Sequence, residues 1–220
     1  MDPEIVLEDA DLLIAYKPAG LATQSARLSQ PDLFRILKKH TPYVALIGRL
    51  DQPVEGLVLA AKNRETAAAL SAQQQAHRIR KKYFCAVSAA EHFPESGTLS
   101  DELIHDRNSR RAIVVSEKTK GAKRAELSYR TIAEEDGVRL LEIDLMTGRF
   151  HQIRAQMSYH GAPLIGDGRY GGAPCEEKGC GIALCAFCLS FQHPVTGKQT
   201  DVRIAPRHPL LRRLMNGQIS

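Results

Sequence analysis

Three stretches of this sequence combine turn-forming residues with side chains that can do chemistry. The first, Gly48-Arg49-Leu50-Asp51-Gln52-Pro53-Val54-Glu55-Gly56, lies between two short apolar runs. Pro53 and Gly56 prevent a β ladder from running through Asp51, which leaves a loop carboxylate on a rigid base. Such a group can act as a nucleophile or a general base, and it can equally close an Asx turn or cap a strand end. The second, Thr147-Gly148-Arg149-Phe150-His151-Gln152-Ile153-Arg154, leaves a strand through Thr-Gly and enters a helix running to about Tyr159. At helical spacing His151, Arg154 and Ser158 share a polar face that could line a site, while Ile153 and Met157 point away and can pack on a sheet. The third, Arg80-Lys81-Lys82-Tyr83-Phe84, delivers Tyr83 at a strand start beside positive charge, where cross-strand packing is its ordinary use.

The elements that must position these residues are mostly strands. Ile5 to Leu7 and Leu12 to Tyr16 form a strand pair around an acidic turn, stopped by Lys17-Pro18-Ala19-Gly20. Short strands follow at Val44 to Ile47 and Leu57 to Ala61. Between an Asn63 cap and Gln75 the Ala- and Gln-rich stretch predicts a surface helix with Leu70 as its one large apolar anchor. Alternation from Tyr83 to Val87, Ala112 to Val115, Glu126 to Ile132 and Arg139 to Leu145 predicts successive antiparallel strands. No repeat, low-complexity tract or linker interrupts the chain, so a single domain over residues 1–220 is expected.

Composition narrows the function classes. The 220 residues are 43% hydrophobic and 25% charged, enough to bury a full core. There is no apolar run long enough for a membrane span, and the acidic start is unlike a secretory signal. Absent Trp and 5% aromatics argue against a large sugar-stacking platform. The formal charge of +5 is unevenly spread. His77 to Lys82 holds Arg78, Arg80, Lys81 and Lys82 with no acid, and Arg107 to Arg124 holds seven Lys or Arg against Glu117 alone. These clusters form either a positive face for a polyanion or solvated loops. Five cysteines, an odd number, read as reduced thiols in a cytoplasmic protein.

In their order and spacing, GRLDQPVEGLVLAAKN, RKKYFCAV, LMTGRFHQIRAQMSYHGAPLIGDGRYGG and LSFQHPVTG resemble the landmarks of pseudouridine synthases of the RluA type, with KPAG and the Lys123-Arg124-Ala125 region fitting the same pattern. The resemblance covers about Ile5 to Arg203, and its TGRFHQIR block is highly specific. It implies an α+β fold: a mixed, mainly antiparallel sheet with a central cleft, flanked by helices and loops. It also implies isomerisation of uridine to pseudouridine in ribosomal or transfer RNA, with no cofactor and no metal. By motif position Asp51 matches the essential aspartate, Tyr83 the active-site tyrosine and Arg154 the arginine that pairs with the aspartate. Arg49 matches the residue that enters the space left by the extruded base, and Lys62 a cleft lysine. His151, Arg110 and Arg111 are expected to contact the RNA. The partner is RNA, with no membrane and no DNA, and the chain is expected to be a monomer.

That reaction breaks an N-glycosidic bond, turns the uracil and joins its C5 to the sugar, so it needs an ionised carboxylate as nucleophile or base. A neighbouring guanidinium favours the charged form, and a Tyr ring can stack on uracil with its hydroxyl near the C5 proton. The pattern also departs from many relatives. Gly48 stands in place of a His, and Val54-Glu55 replaces Thr-Ser beside Asp51. An N-terminal S4-like module is not expected. Two other readings remain: a noncatalytic RNA-binding relative, and a zinc-stabilised RNA-binding protein using Cys175, Cys180, Cys185 and Cys188. Cys185 and Cys188 fall on a strand of the pattern, where residues three apart point to opposite faces, which favours free thiols.

Overall fold

The computed structural model describes residues 2–27, 29–88 and 92–217. The chain divides into two compact units, Met1–Lys81 with Cys185–Pro206, and Lys82–Leu184 with Arg207–Ser220. In chain order the elements are β1 (Glu4–Glu8), β2 (Leu12–Lys17), α1 (Leu33–His40), β3 (Ala45–Ile47), β4 (Glu55–Ala61), α2 (Arg64–Gln75), β5 (Arg80–Ser88), β6 (Ser96–Asp106), β7 (Arg111–Val115), β8 (Lys123–Glu135), β9 (Val138–Leu145), α3 (Gln152–Tyr159), β10 (Leu184–Gln192), β11 (Gln199–Arg203) and α4 (Pro209–Asn216). The mixed, mainly antiparallel α+β architecture is the expected one. Among the described residues no helix is long and apolar enough to cross a membrane.

In the first unit β2 and β4 run antiparallel at the centre, with β1 outside β2. Both central strands are buried along their whole length because each face has a cover. Leu12, Ile14, Leu57 and Leu59 pack with Leu70 of α2. Leu13, Ala15, Val58 and Ala60 pack with Leu33 and Leu37 of α1. As expected, α2 is capped by Asn63, whose side chain accepts from the Thr66 N–H at 2.8 Å. The partners of β4 include β3, antiparallel at Leu59–Ala61, and β10, parallel at Glu55–Gly56. Residues 48–54 therefore leave the sheet after Ile47 and return at Glu55, and this excursion carries Asp51.

The second unit orders its strands β5-β9-β8-β6-β7. An Asp136-Gly137 turn, with φ of 50° and 75°, joins β8 to β9 in the twist that a tight hairpin requires. Helix α3 packs through Ala155 against Leu103, Ala112 and Ala125 of β6, β7 and β8. It is more enclosed than its sequence implies, since every residue from Gln152 to Met157 is buried. The two glutamines are tied down internally: Gln152 donates to the Glu126 carbonyl at 3.0 Å, and Gln156 to an Asp101 carboxylate oxygen at 2.6 Å.

Gly56 sits where β4 meets the parallel strand. Its φ is +132°, and a Cβ there would collide with the Ala186 backbone. Gly56→Ala should lower unfolding free energy by about 3 kcal/mol or more. Gly20→Ala, at φ +87° with open space around it, should cost only the left-handed penalty of about 1–2 kcal/mol. Urea denaturation of both variants checks the ranking.

Candidate active site

The Asp51 loop is braced from the turn that follows β2. Lys17 is fully buried, and its ammonium donates to three backbone carbonyls: Pro18 at 3.0 Å, Leu21 at 2.7 Å and Gln52 at 3.2 Å. An ammonium has three donors, so each is engaged without water. Further clasps join the same two segments. Gly20 N–H donates to the Gln52 carbonyl at 2.8 Å, and the Thr23 hydroxyl donates to the Leu50 carbonyl at 2.7 Å while accepting from the Leu50 N–H at 3.1 Å. Burial draws the Lys17 ammonium down from 10.5 to about 8, while the carboxylates of Asp51 and Glu55 oppose that drop.

Glu55, one of the departures beside Asp51, does not face the solvent. It is buried, and Tyr16 donates its hydroxyl to the carboxylate at 2.8 Å. Burial, and after it Glu55, pushes the Cys185 thiol well above its usual range. Arg49 is exposed and lines a groove with Gly48, Leu50 and Lys81. Lys62 lies beyond the opposite end of β4 from Asp51, about 20 Å along a strand of this length. Its ammonium is held by Glu8 at 2.7 Å and the Asp9 carbonyl at 2.6 Å. Lys62 is thus tied to the turn after β1, and the lysine that feels the Asp51 carboxylate is Lys17.

In the second unit Tyr83 is buried on β5. Arg154 is 4% exposed on α3 and grips Asp167 through two nitrogens, at 2.6 and 2.8 Å. A two-point buried pair fixes the guanidinium plane, and removing one partner of such a pair costs about 3–5 kcal/mol. The Arg154 guanidinium lies 5.1 Å from the centre of the Tyr170 ring. Tyr170 also accepts from the Ala112 N–H at 2.7 Å, meets His151 Nδ1 at 3.0 Å, and takes the Ser158 hydroxyl on its carbonyl at 2.6 Å. The expected shared face of His151, Arg154 and Ser158 is therefore real, and Tyr170 is what it faces. Asp167 and Tyr170 were not singled out as functional from the sequence. The only signal for them was their place in LIGDGRYGG.

His151 adopts a left-handed φ of 50°, a strained conformation for a non-glycine residue. Its ring stacks on Phe150 at 3.8 Å, and Phe150 meets His105 at 4.1 Å. This aromatic stack is partly open, with Phe150 38% exposed. Arg107, Arg110 and Arg111 are exposed around the turn between β6 and β7, and Lys118, Lys120, Lys123 and Arg124 are exposed after β7. The earlier basic cluster is less available than its sequence implies. Lys82 pairs with Glu142 at 3.1 Å, and burial draws Lys81 down to about 8. Arg78 and Arg80 remain exposed.

The cysteines divide differently from the expectation of free thiols. Cys85, Cys185 and Cys188 are buried and lie outside the disulfide that joins Cys175 and Cys180. A loop places that pair side by side, with four residues between them in sequence.

The Lys17 brace makes stability depend on pH. Between about pH 8 and 10.5 the unfolded chain keeps a proton that folded Lys17 has released. Unfolding free energy contributed by this group therefore rises with pH, by up to about 1.4 kcal/mol per pH unit. Denaturation at about pH 7.5 and 9.5 should show wild type gaining on Lys17→Met at the higher pH, with buried thiols cancelling in the difference. A flat difference would mean that the ammonium is not desolvated.

The RNA pseudouridylate synthase family model matches residues 11–159. The chain is 32% identical over 216 residues to ribosomal large subunit pseudouridine synthase D of Zymomonas mobilis, covering 90% of this chain and 67% of that protein. It is 31% identical over 196 residues to dual-specificity RNA pseudouridine synthase RluA of Vibrio parahaemolyticus, covering 87% and 78%. It spans about two thirds of the length of other curated relatives, 67% of a Mycoplasma genitalium protein and 64% of its Mycoplasma pneumoniae homolog. The structure of human RNA pseudouridylate synthase domain containing 1 shares the fold, with a TM-score of 0.78 at 20% identity over 93% of this chain and 84% of that one. The chain belongs to the RNA pseudouridine synthase family, a family of isomerases, as a catalytic domain of the RluA type.

Proposed function

We propose that this protein converts specific uridines to pseudouridine in structured ribosomal or transfer RNA, with Asp51, Tyr83 and Arg154 as its catalytic residues. What supports this reading is the Asp51 loop, clasped through the Gln52 carbonyl to a buried ammonium that also holds the Pro18 and Leu21 carbonyls of the turn after β2. A carboxylate that attacks the sugar or takes its proton must be held rigidly, and Lys17 serves that need. Arg154, held in plane by Asp167, is the cationic member of the proposed catalytic set. Tyr83 stacks on the uracil, holds it while detached, and places its hydroxyl near the C5 proton. Arg49 helps keep the strand open after the base leaves its stack, a step costing a few kcal/mol.

Glu55 bears on the noncatalytic alternative. A new acid exposed beside Asp51 would repel RNA phosphates, but Glu55 is buried against Tyr16, so it does not weaken the catalytic reading. The β6–β7 turn with Arg110 and Arg111, the segment Lys118–Arg124 and the stack of His105, Phe150 and His151 form the surface on which we place the RNA. We place the protein in the cytoplasm as a monomer, and the reaction itself uses no cofactor.

RNA labelled with tritium at uridine C5 should release tritium to water with the protein alone, because the new carbon–carbon bond displaces that hydrogen. Asp51→Asn keeps size and much of the hydrogen bonding, so it should bind RNA while release falls to background. Release by the Asn variant at the wild-type rate would remove Asp51 from the mechanism, and binding without release by wild type would favour the noncatalytic relative. Separately, replacing Arg110 and Arg111 with Ala should reduce the slope of log affinity against log salt by about 1–2, the loss of two phosphate contacts. An unchanged slope would return both residues to the solvated loop.

A further inference from the structure

The loop between Tyr170 and β10 brings together a set of donors outside the proposed uridine site. Cys175, Cys180 and His208 place their ligand atoms within 4.8 Å of one another. His208 is 5% exposed at the start of α4, with Nε2 3.2 Å and Nδ1 3.9 Å from the Cys180 sulfur, and Nε2 also 3.3 Å from the Gly181 carbonyl. A carboxylate oxygen of Glu177 stands 3.1 Å from the Cys175 sulfur. We propose that in the reduced protein these residues hold a structural Zn²⁺, with Cys175, Cys180 and His208 as ligands and Glu177 as the fourth donor.

The disulfide leaves one of these contacts without a chemical reason. A disulfide sulfur carries no proton, so Glu177 and Cys175 then set two electron-rich atoms against each other. Two thiolates, an imidazole and a carboxylate converging on one point are instead the donor set of tetrahedral zinc, and four residues between the cysteines is a common ligand spacing. With Zn–S near 2.3 Å and Zn–N near 2.0 Å, tetrahedral donor atoms lie about 3.5–3.8 Å apart. The present cluster reaches that arrangement when an external thiol reductant supplies two electrons, becoming a disulfide itself, and the Cys175–Cys180 bond opens to two thiolates that ligate the metal, with His208 already in range. Ligation takes a ring nitrogen free of its proton, so Nε2 would give up its contact with Gly181. The formal excess of negative charge is met by Arg213 of α4, 3.5 Å from the other Glu177 oxygen. The metal would tie a loop that is mostly exposed from Gly171 to Gly181 to the helix whose Leu210, Leu211 and Leu214 are buried.

This set was not visible in the sequence. The CxxC spacing drew attention to Cys185 and Cys188, which are buried on β10 and lie outside the disulfide. His208 is 28 positions from Cys180, and only the fold brings it close.

Full-length protein purified in reductant should carry about one zinc per chain after dialysis. Replacing zinc with Co²⁺ should produce the thiolate charge-transfer and visible bands of a tetrahedral centre. His208→Gln and Glu177→Gln, which keep both cysteines, should weaken Co²⁺ binding, His208→Gln by at least about tenfold, and the Cys175→Ser, Cys180→Ser double variant should bind none. Chelation should lower the melting temperature of wild type and leave the double variant unmoved. Reduced protein that holds no zinc and gives no cobalt spectrum, or a His208→Gln titration identical to wild type, would overturn the proposal. Cys175 and Cys180 protected from alkylation until reduction, with no metal bound afterwards, would establish the disulfide instead. None of these readouts uses turnover, so they stand or fall apart from the tritium assay.

Discussion

A single buried charge organises the first unit. Lys17 ends β2 in a position without water, and a bare ammonium there would cost several kcal/mol. The cost is met because three carbonyls converge on it, two from the turn after β2 and one from the loop that holds Asp51. The need to satisfy the charge thus draws two segments 35 residues apart in sequence into one clasp. Arginine could not replace it by charge alone, since a planar fork does not present three donors to a point surrounded by carbonyls. The clasp also explains why Pro18 and Gly20 follow immediately. Pro18 ends the strand, and Gly20, at φ +87°, turns the chain back so that its N–H reaches Gln52.

In the second unit a tyrosine and an acid perform the corresponding task. The chain from Gly166 to Gly172 bends tightly enough that a Cβ at either glycine would collide with backbone, at Gly181 or Leu164. That bend carries Asp167 and Tyr170. Asp167 fixes the plane of Arg154, and Tyr170 meets the same helix at His151, Arg154 and Ser158. One face of α3 is set by this turn, and the other sides are filled by Ile153, Met157 and two glutamines with internal partners. The strained His151 backbone is tolerated because its ring is held between Phe150 and the Tyr170 hydroxyl.

What could be read from the sequence was what local chemistry determines. The Asn63 cap, the strand pair around the acidic turn and the excursion at Asp51 each announce themselves within a few residues. The eight-residue α1 and α4 escaped notice because few residues define them, and Pro209 at the start of α4 reads as a breaker when it is a helix N1 residue. β6 escaped because only Leu99 and Leu103 are buried on an otherwise polar strand. The sequence tells most where a position is set locally, as for the Asp51 excursion and the shared face of α3. It tells least where a side chain's partner is distant in sequence. Lys62 stands at the far end of β4 from Asp51, held by Glu8, while Lys17 reads as part of a stop signal.

The same dependence on tertiary partners governs charge. Two basic clusters have similar composition, yet one is partly spent inside the protein. Lys82 is matched by Glu142, Lys81 has lost much of its hydration, and Glu142 also engages Arg130. The other cluster sits on a hairpin turn and the segment after it, where among the described residues Arg124 pairs with an acid, Glu126 at 2.9 Å. A side chain with no acid to neutralise it keeps its charge available to a phosphate, and counterion release rewards that availability. Adjoining this cluster, the His105, Phe150 and His151 rings offer π faces that bases can stack on regardless of sequence. Unequal neutralisation of the two clusters by acids from the sheet leaves the hairpin surface with the more available charge.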